Sequence, residues 1–169
     1  MSGFSFLADA EMKGHARLEF APREEIARVQ DELLRAHVRH AANSAYYRRV
    51  FEANDVDWQN FPGVKALPSI PCTTKEDLEA HNDDFHAVGR EEIVDVCLTS
   101  ATTGSNPTML CQTAEDLARL AYNEEMAFGL AGLTAQDTLM VCAAIDRCFM
   151  AGLAYFLGGV KRGARVVRA

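Results

Sequence analysis

Six hydroxyl side chains, one glycine and one proline fall within the eleven residues from Leu98 to Thr108, directly after the apolar run Ile93-Val-Asp-Val-Cys97. A turn of this composition leaving a buried strand exposes backbone N–H groups and short hydroxyls, which hold phosphate oxygens without bulk or fixed charge. The same residue types also build a polar β-hairpin turn, and composition alone leaves both readings open. The two commonest nucleotide motifs are excluded: no Gly-Lys-Ser/Thr follows Gly104, as a Walker A loop requires, and the chain contains no Gly-x-Gly-x-x-Gly.

Other residues with chemistry to offer favour blander readings. His37 and His40 are three apart on one expected helix, a spacing that suits a metal, but histidines on a solvated helix face are far commoner. Cys148 has no base beside it in sequence to make it a nucleophile. Asp146-Arg147 reads as a local ion pair, and the runs Glu24-Glu25 and Asp83-Asp84 as solvated faces.

The elements that would position the hydroxyl loop form two zones, 1–92 and 93–169, of one continuous domain. Pro22 with the acids of Arg23-Glu-Glu-Ile26 starts a helix that keeps apolar spacing to about Ala42. Asn43 or Ser44 caps a second helix through Phe51. Pro62, Gly63, Pro68 and Pro71 forbid long regular elements between 55 and 72, so this segment wraps the surface. Thr74-Lys-Glu-Asp77 is a capping box opening a short helix to about Asn82. From Ile93 the order becomes strand, loop, strand, helix, strand, helix, strand. Strands are expected at 93–98, 108–111, 138–143 and 164–167, and helices at 114–131, capped by Thr113, and 148–161, followed by Gly163. The alternation implies an α/β layer with parallel pairing.

Composition narrows the function classes. The 24 acidic and 17 scattered basic residues give a net charge of −7, which lacks the basic footprint of a nucleic-acid binder. The five cysteines include no Cys-x-x-Cys pair, the N-terminus has no signal-peptide pattern, and the longest apolar run, Cys148 to Val160, is too short to span a bilayer. A reducing, cytoplasmic setting with no membrane partner is expected.

Thr99-Ser-Ala-Thr-Thr-Gly104 with Pro107-Thr108 resembles the Ser/Thr/Gly-rich loop of the adenylate-forming superfamily, which includes acyl-CoA synthetases, peptide-synthetase adenylation domains and luciferases. One branch matches further. Tyr46-Tyr-Arg-Arg-Val-Phe51, Leu67-Pro68, Thr73-Thr-Lys-Glu-Asp-Leu78 and Arg90-Glu-Glu-Ile-Val94 precede the loop, and Thr113-Ala-Glu-Asp-Leu117, Phe149-Met-Ala-Gly152 and Gly158-Gly-Val-Lys-Arg-Gly-Ala164 follow it. In order and spacing they are similar to phenylacetate-CoA ligases from about residue 25 onward. The loop departs from the family pattern at Ala101, where glycine is usual, and at Ser105-Asn106, which adds a residue and omits the lysine before Pro107.

The resemblance implies an ATP-dependent reaction with Mg2+, in which a small aromatic or acyl carboxylate attacks the α-phosphate and coenzyme A then takes the acyl group. By analogy Thr99, Ser100, Thr102, Thr103, Gly104 and Ser105 contact the departing phosphates, and Phe149 lies near the acyl pocket. Family members are well over twice as long, so the resemblance makes this chain an N-terminal part, without catalytic residues, that is inactive alone and self-associates through incomplete sheet edges. An acyl-protein synthetase and a non-catalytic association module are the alternatives.

Overall fold

The computed structural model describes residues 18–99, 107–145 and 148–169. They divide into two compact units, 18–90 with 107–108, and 91–99 with 109–169.

The first unit is helical. Helix α1 (Arg23–Ala41) begins after Pro22 with Glu24 and Glu25 in its first turn. Helix α2 (Ala45–Ala53) is set by Ser44, which is fully buried because its hydroxyl is used twice: it donates to the Ala41 carbonyl at 2.8 Å and accepts from the Tyr47 N–H at 3.2 Å. A buried hydroxyl needs such partners. The two helices pack through Val38, Ala42 and Phe51, and the segment after α2 brings Val56 and Phe61 into the same core. Polar contacts also pin that segment to α1: Val64 N–H donates to Asp31 Oδ1 at 2.8 Å and Arg35 to the Pro62 carbonyl at 2.8 Å. Its only regular piece is a 3₁₀ turn, Val64–Ser69. Helix α3 (Lys75–Ala80) opens on the Thr74–Asp77 capping box.

The second unit carries four strands: β1 (Ile93–Leu98), β2 (Met109–Thr113), β3 (Thr138–Val141) and β4 (Arg165–Arg168). Helix α4 (Ala114–Leu130) follows β2, and α5 (Met150–Lys161) lies between β3 and β4. Among the described residues the strands form two separate two-stranded sheets, correcting the expectation of one parallel layer. β1 and β2 pair antiparallel, with Leu98 opposite Met109 and Cys97 opposite Leu110, whereas β3 and β4 pair parallel, with Thr138 opposite Arg165 and Val141 opposite Arg168. Connection length permits this: β1 and β2 are consecutive strands with no helix between them, as an antiparallel hairpin allows, whereas the parallel pair β3 and β4 has the crossover helix α5 between its strands. β3 also stops at Val141 rather than 143.

Both long helices of this unit end by the same device. Gly163 (φ +82°) follows α5, with Gly163 N–H donating to Val160 O at 3.0 Å and Ala164 N–H to Gly159 O at 3.1 Å. Gly132 (φ +89°) follows α4, with Gly132 N–H to Gly129 O at 3.1 Å and Leu133 N–H to Phe128 O at 2.9 Å. This paired pattern is a Schellman motif, and its left-handed residue favours glycine. At the other end of α4, Thr113 accepts from Asp116 N–H at 3.2 Å, while the Asp116 carboxylate accepts from the Thr113 N–H at 2.9 Å and its hydroxyl at 2.8 Å. Burial pushes the Asp116 carboxyl upward, but these bonds and the adjacent Arg119 outweigh it and hold the group below the ordinary carboxylate value.

Thr113→Ala is expected to cost about 1 kcal/mol of unfolding free energy near neutral pH, the usual size of a lost N-cap. Because Asp116 is depressed in the folded state, its contribution is present above its unfolded value of about 4 and is lost as pH falls through the lower folded value. Urea titrations across acid pH should therefore show the gap between parent and variant narrowing below about pH 4.

Candidate functional site

The hydroxyl loop is launched from β1 and received by β2. Of the expected phosphate contacts, Thr99 is described and stands exposed just beyond the end of β1, while Ser100, Thr102, Thr103, Gly104 and Ser105 lie outside the described residues, as does Ala101. What the structure defines is the base of the loop. Its strands pair up to Leu98 and Met109, so the loop spans a hairpin in which both ends are held in register. The flanking strands are thus those of a hairpin, the first of the two readings open from composition.

A single backbone bond ties this base to α5. Leu98 N–H donates to the Cys148 carbonyl at 3.1 Å. Cys148 takes the left-handed conformation, φ +57°, which is uncommon for a residue other than glycine, and the chain then enters α5 at Phe149. From β2, the Gln112 side-chain amide reaches the Met150 sulfur at 3.7 Å. Both strands of the hairpin therefore touch the start of α5.

A cleft of about 540 Å³ opens at the carboxyl ends of β3 and β4, lined by Cys142, Ala143, Ala144, Ile145, Arg168 and Ala169. In α/β layers this is the place where ligands bind, because the strands end there and the following turns leave backbone groups unpaired. The walls are small, and the cleft carries one fixed positive charge. The Arg168 guanidinium lies over the Phe156 ring, 5.3 Å from its centre, a cation–π contact that limits where the charge points.

Gly152 sets how closely α5 approaches this cleft. A Cβ at that position would collide with the Ala144 carbonyl oxygen and lie 2.7 Å from that of Ala143. Phe149 stands half-exposed at the head of α5 and is neither a core residue nor a wall of this cleft. Arg168 and the pair Ala143-Ala144 were not singled out from sequence. The only available signal for the alanines was a run of small residues directly after a strand, which reads equally as packing.

Among the described residues no three His, Cys, Asp or Glu side chains converge as a metal site, and His37 and His40 are both exposed on α1. No helix among them is long and apolar enough to cross a membrane.

No protein-family model matches the chain. The phenylacetate-coenzyme A ligase of Thermus thermophilus is 36% identical over 153 residues, and that of Escherichia coli K12 is 32% identical over 152. Each alignment covers 89% of this chain and 34% of the relative, so the chain spans about a third of the length of the curated relatives it matches. Among solved structures, an open conformation of 2-hydroxyisobutyryl-CoA ligase in complex with 2-HIB-AMP and CoA superposes with a TM-score of 0.78 at 20% identity, covering 88% of this chain and 33% of that one. The same ligase in its thioesterification state gives 0.76. The resemblance read from the loop and its flanking motifs is borne out: the chain is homologous to the N-terminal portion of adenylate-forming CoA ligases and has the corresponding part of their fold.

Gly152→Ala is expected to destabilise the second unit by about 1–3 kcal/mol, the range for overpacking a close contact, because the colliding atoms are backbone and cannot rotate away. Denaturant unfolding measures it, with Ala151→Gly as a control for altered helix propensity in the same turn.

Proposed function

We propose that this chain is the N-terminal part of an ATP-dependent aryl- or acyl-CoA ligase, which activates a carboxylic acid as its adenylate and passes the acyl group to coenzyme A. The observation that carries this reading is the similarity over 89% of the chain to two phenylacetate-CoA ligases. The cleft at the ends of β3 and β4 and the hairpin beneath the loop support it, since the bond between Leu98 and Cys148 joins the strand that launches the loop to the head of α5.

In this reading ATP supplies the adenylyl group and leaves as pyrophosphate. Thr99, Ser100, Thr102, Thr103, Gly104 and Ser105 hold the β- and γ-phosphates through N–H and O–H donors whose bonds strengthen as charge builds on them. The small aromatic or acyl acid lies toward the cleft and Phe149, with Arg168 as the nearest fixed cation among the cleft's walls. Mg2+ belongs with the ATP phosphates, and no residue described here is assigned to it. The setting is cytoplasmic, in keeping with five free cysteines.

Adenylation needs several groups fixed together around the α-phosphate, and one loop cannot replace them. The isolated 169-residue chain is therefore expected to give no pyrophosphate–ATP exchange with a panel of aryl acids, while the complete reading frame containing it should give exchange and, with coenzyme A, a thioester product. A frame that stops at Ala169, or a full-length product without exchange, would sink the ligase reading. A thioester on protein cysteine in place of coenzyme A would move it to an acyl-protein synthetase.

Association has its own motive. Val94, Val96 and Leu98 alternate along one face of β1 and are all exposed, and Met140 faces Val167 across β3 and β4 with 62% and 41% of their surfaces open. Val141, expected on an open face, is instead buried. The isolated chain is expected to form a homo-oligomer by covering these faces. Light scattering across a dilution series should show mass rising with concentration, and a monodisperse monomer at high concentration would contradict it.

A further inference from the structure

We propose that Cys97 and Cys148 form a thiol pair at the base of the hydroxyl loop that closes to a disulfide under a peroxide oxidant. The two residues are far apart in sequence but are joined by the bond from Leu98 N–H to the Cys148 carbonyl at 3.1 Å. From the Cα of residue 97 to the next nitrogen, and from a carbonyl oxygen back to its own Cα, covalent geometry allows about 2.4 Å each. The two Cα atoms therefore lie within about 8 Å at full stretch, and any bend at the hydrogen bond brings them toward the roughly 4.4–6.8 Å that a disulfide spans.

The two thiols have different surroundings, which assigns their roles. Cys148 is exposed and sits immediately before α5, so it is the thiol of the pair that an oxidant in solution reaches first. Cys97 is buried, its thiol directed at the Leu110 carbonyl at 3.6 Å. Burial, with the Asp95 charge nearby and smaller effects of Cys111 and Cys148, pushes the Cys97 thiol up, so it keeps its proton in the resting protein. Cys111 does not compete as its partner. Cys111 is paired with Val96, whereas Cys97 is paired with Leu110, so neighbouring positions on the ladder put Cys97 and Cys111 on opposite faces of the hairpin.

The chemistry balances in two steps. The Cys148 thiolate attacks one oxygen of hydrogen peroxide, forming a sulfenic acid and releasing hydroxide. The Cys97 sulfur then attacks the Cys148 sulfur, the S–O bond of the sulfenic acid breaks, and its hydroxyl leaves with the Cys97 proton as water, so that two electrons pass from the thiols to the peroxide. The product would fix β1 to the head of α5 by a covalent bond at the place now held by one hydrogen bond.

The test uses the 169-residue chain and does not depend on any ligase activity. Reduced protein is treated with hydrogen peroxide, free thiols are blocked, and the product is mapped without reduction by mass spectrometry. The expected result is loss of two hydrogen atoms within one chain, a peptide pair linking Cys97 to Cys148, and full reversal by dithiothreitol. The link should persist in Cys72→Ser, Cys111→Ser and Cys142→Ser and vanish in Cys148→Ser. Because Cys97 is buried and its replacement risks misfolding, the exposed Cys148→Ser variant decides the matter. A link from Cys148 to any other cysteine, a link between two chains, or Cys148 sulfinic acid accumulating in place of the bond would overturn the proposal.

Discussion

Helix α5 lies closer to its neighbours than any side chain would allow, and the second unit is arranged around that closeness. A Cβ on Gly158 would collide with Glu124 and lie 3.0 Å from its backbone carbonyl carbon; one on Gly159 would lie 2.8 Å from both Leu139 and Val166; one on Gly152 would strike the Ala143 and Ala144 carbonyls. The same helix thus presses on α4, on both strands of the parallel pair and on the turn that walls the cleft. Close approach brings many weakly attractive atom pairs to optimal distance, which compensates for the poor helix propensity of three glycines in twelve residues. Ala121 and Leu157 complete the seam with α4, where Leu117, Leu153 and Val160 pack around them.

That packing fixes the head of α5, and the head of α5 in turn fixes the hairpin. Gln112 and Leu98 come from different strands, yet both reach residues 148 to 150. The structure places the two ends of the hydroxyl loop. Pairing of Leu98 with Met109 holds those ends together, and the bond to Cys148 sets where the pair sits relative to α5.

How much of this could be read from the sequence follows from the range of each interaction. Ser44, Thr74, Thr113 and Gly163 were legible because a cap is satisfied within three or four residues of itself, and each does what its type predicts. The ligase likeness was legible because its motifs are ordered along the chain. Strand pairing was not: whether β1 lies parallel or antiparallel to β2 depends on what joins them, and the alternation of strands and helices was read too broadly. Val141 and Met140 are adjacent and both apolar, and only the side on which α5 packs decides that the first is buried and the second open. The three close glycines lie in an apolar helical run that reads as an ordinary buried helix. The stretch 99–105 stood out in the sequence by composition alone, whereas the Cys148 carbonyl at its base and the alanine-walled cleft did not.

The division between dipoles and charge gives the proposed reaction a physical logic. Hydroxyls and backbone N–H groups stabilise phosphate charge by orientation, and their contribution falls as the group moves away or turns. A lysine in the same loop would attract pyrophosphate at longer range, and this chain has none between Leu98 and Thr108. The fixed charge here is Arg168, on β4 and held over the Phe156 ring, outside the loop. In the proposed reading, phosphate contacts at this loop come from short donors alone. What the structure fixes is the base of the loop, through the hairpin register and the bond between Leu98 and Cys148.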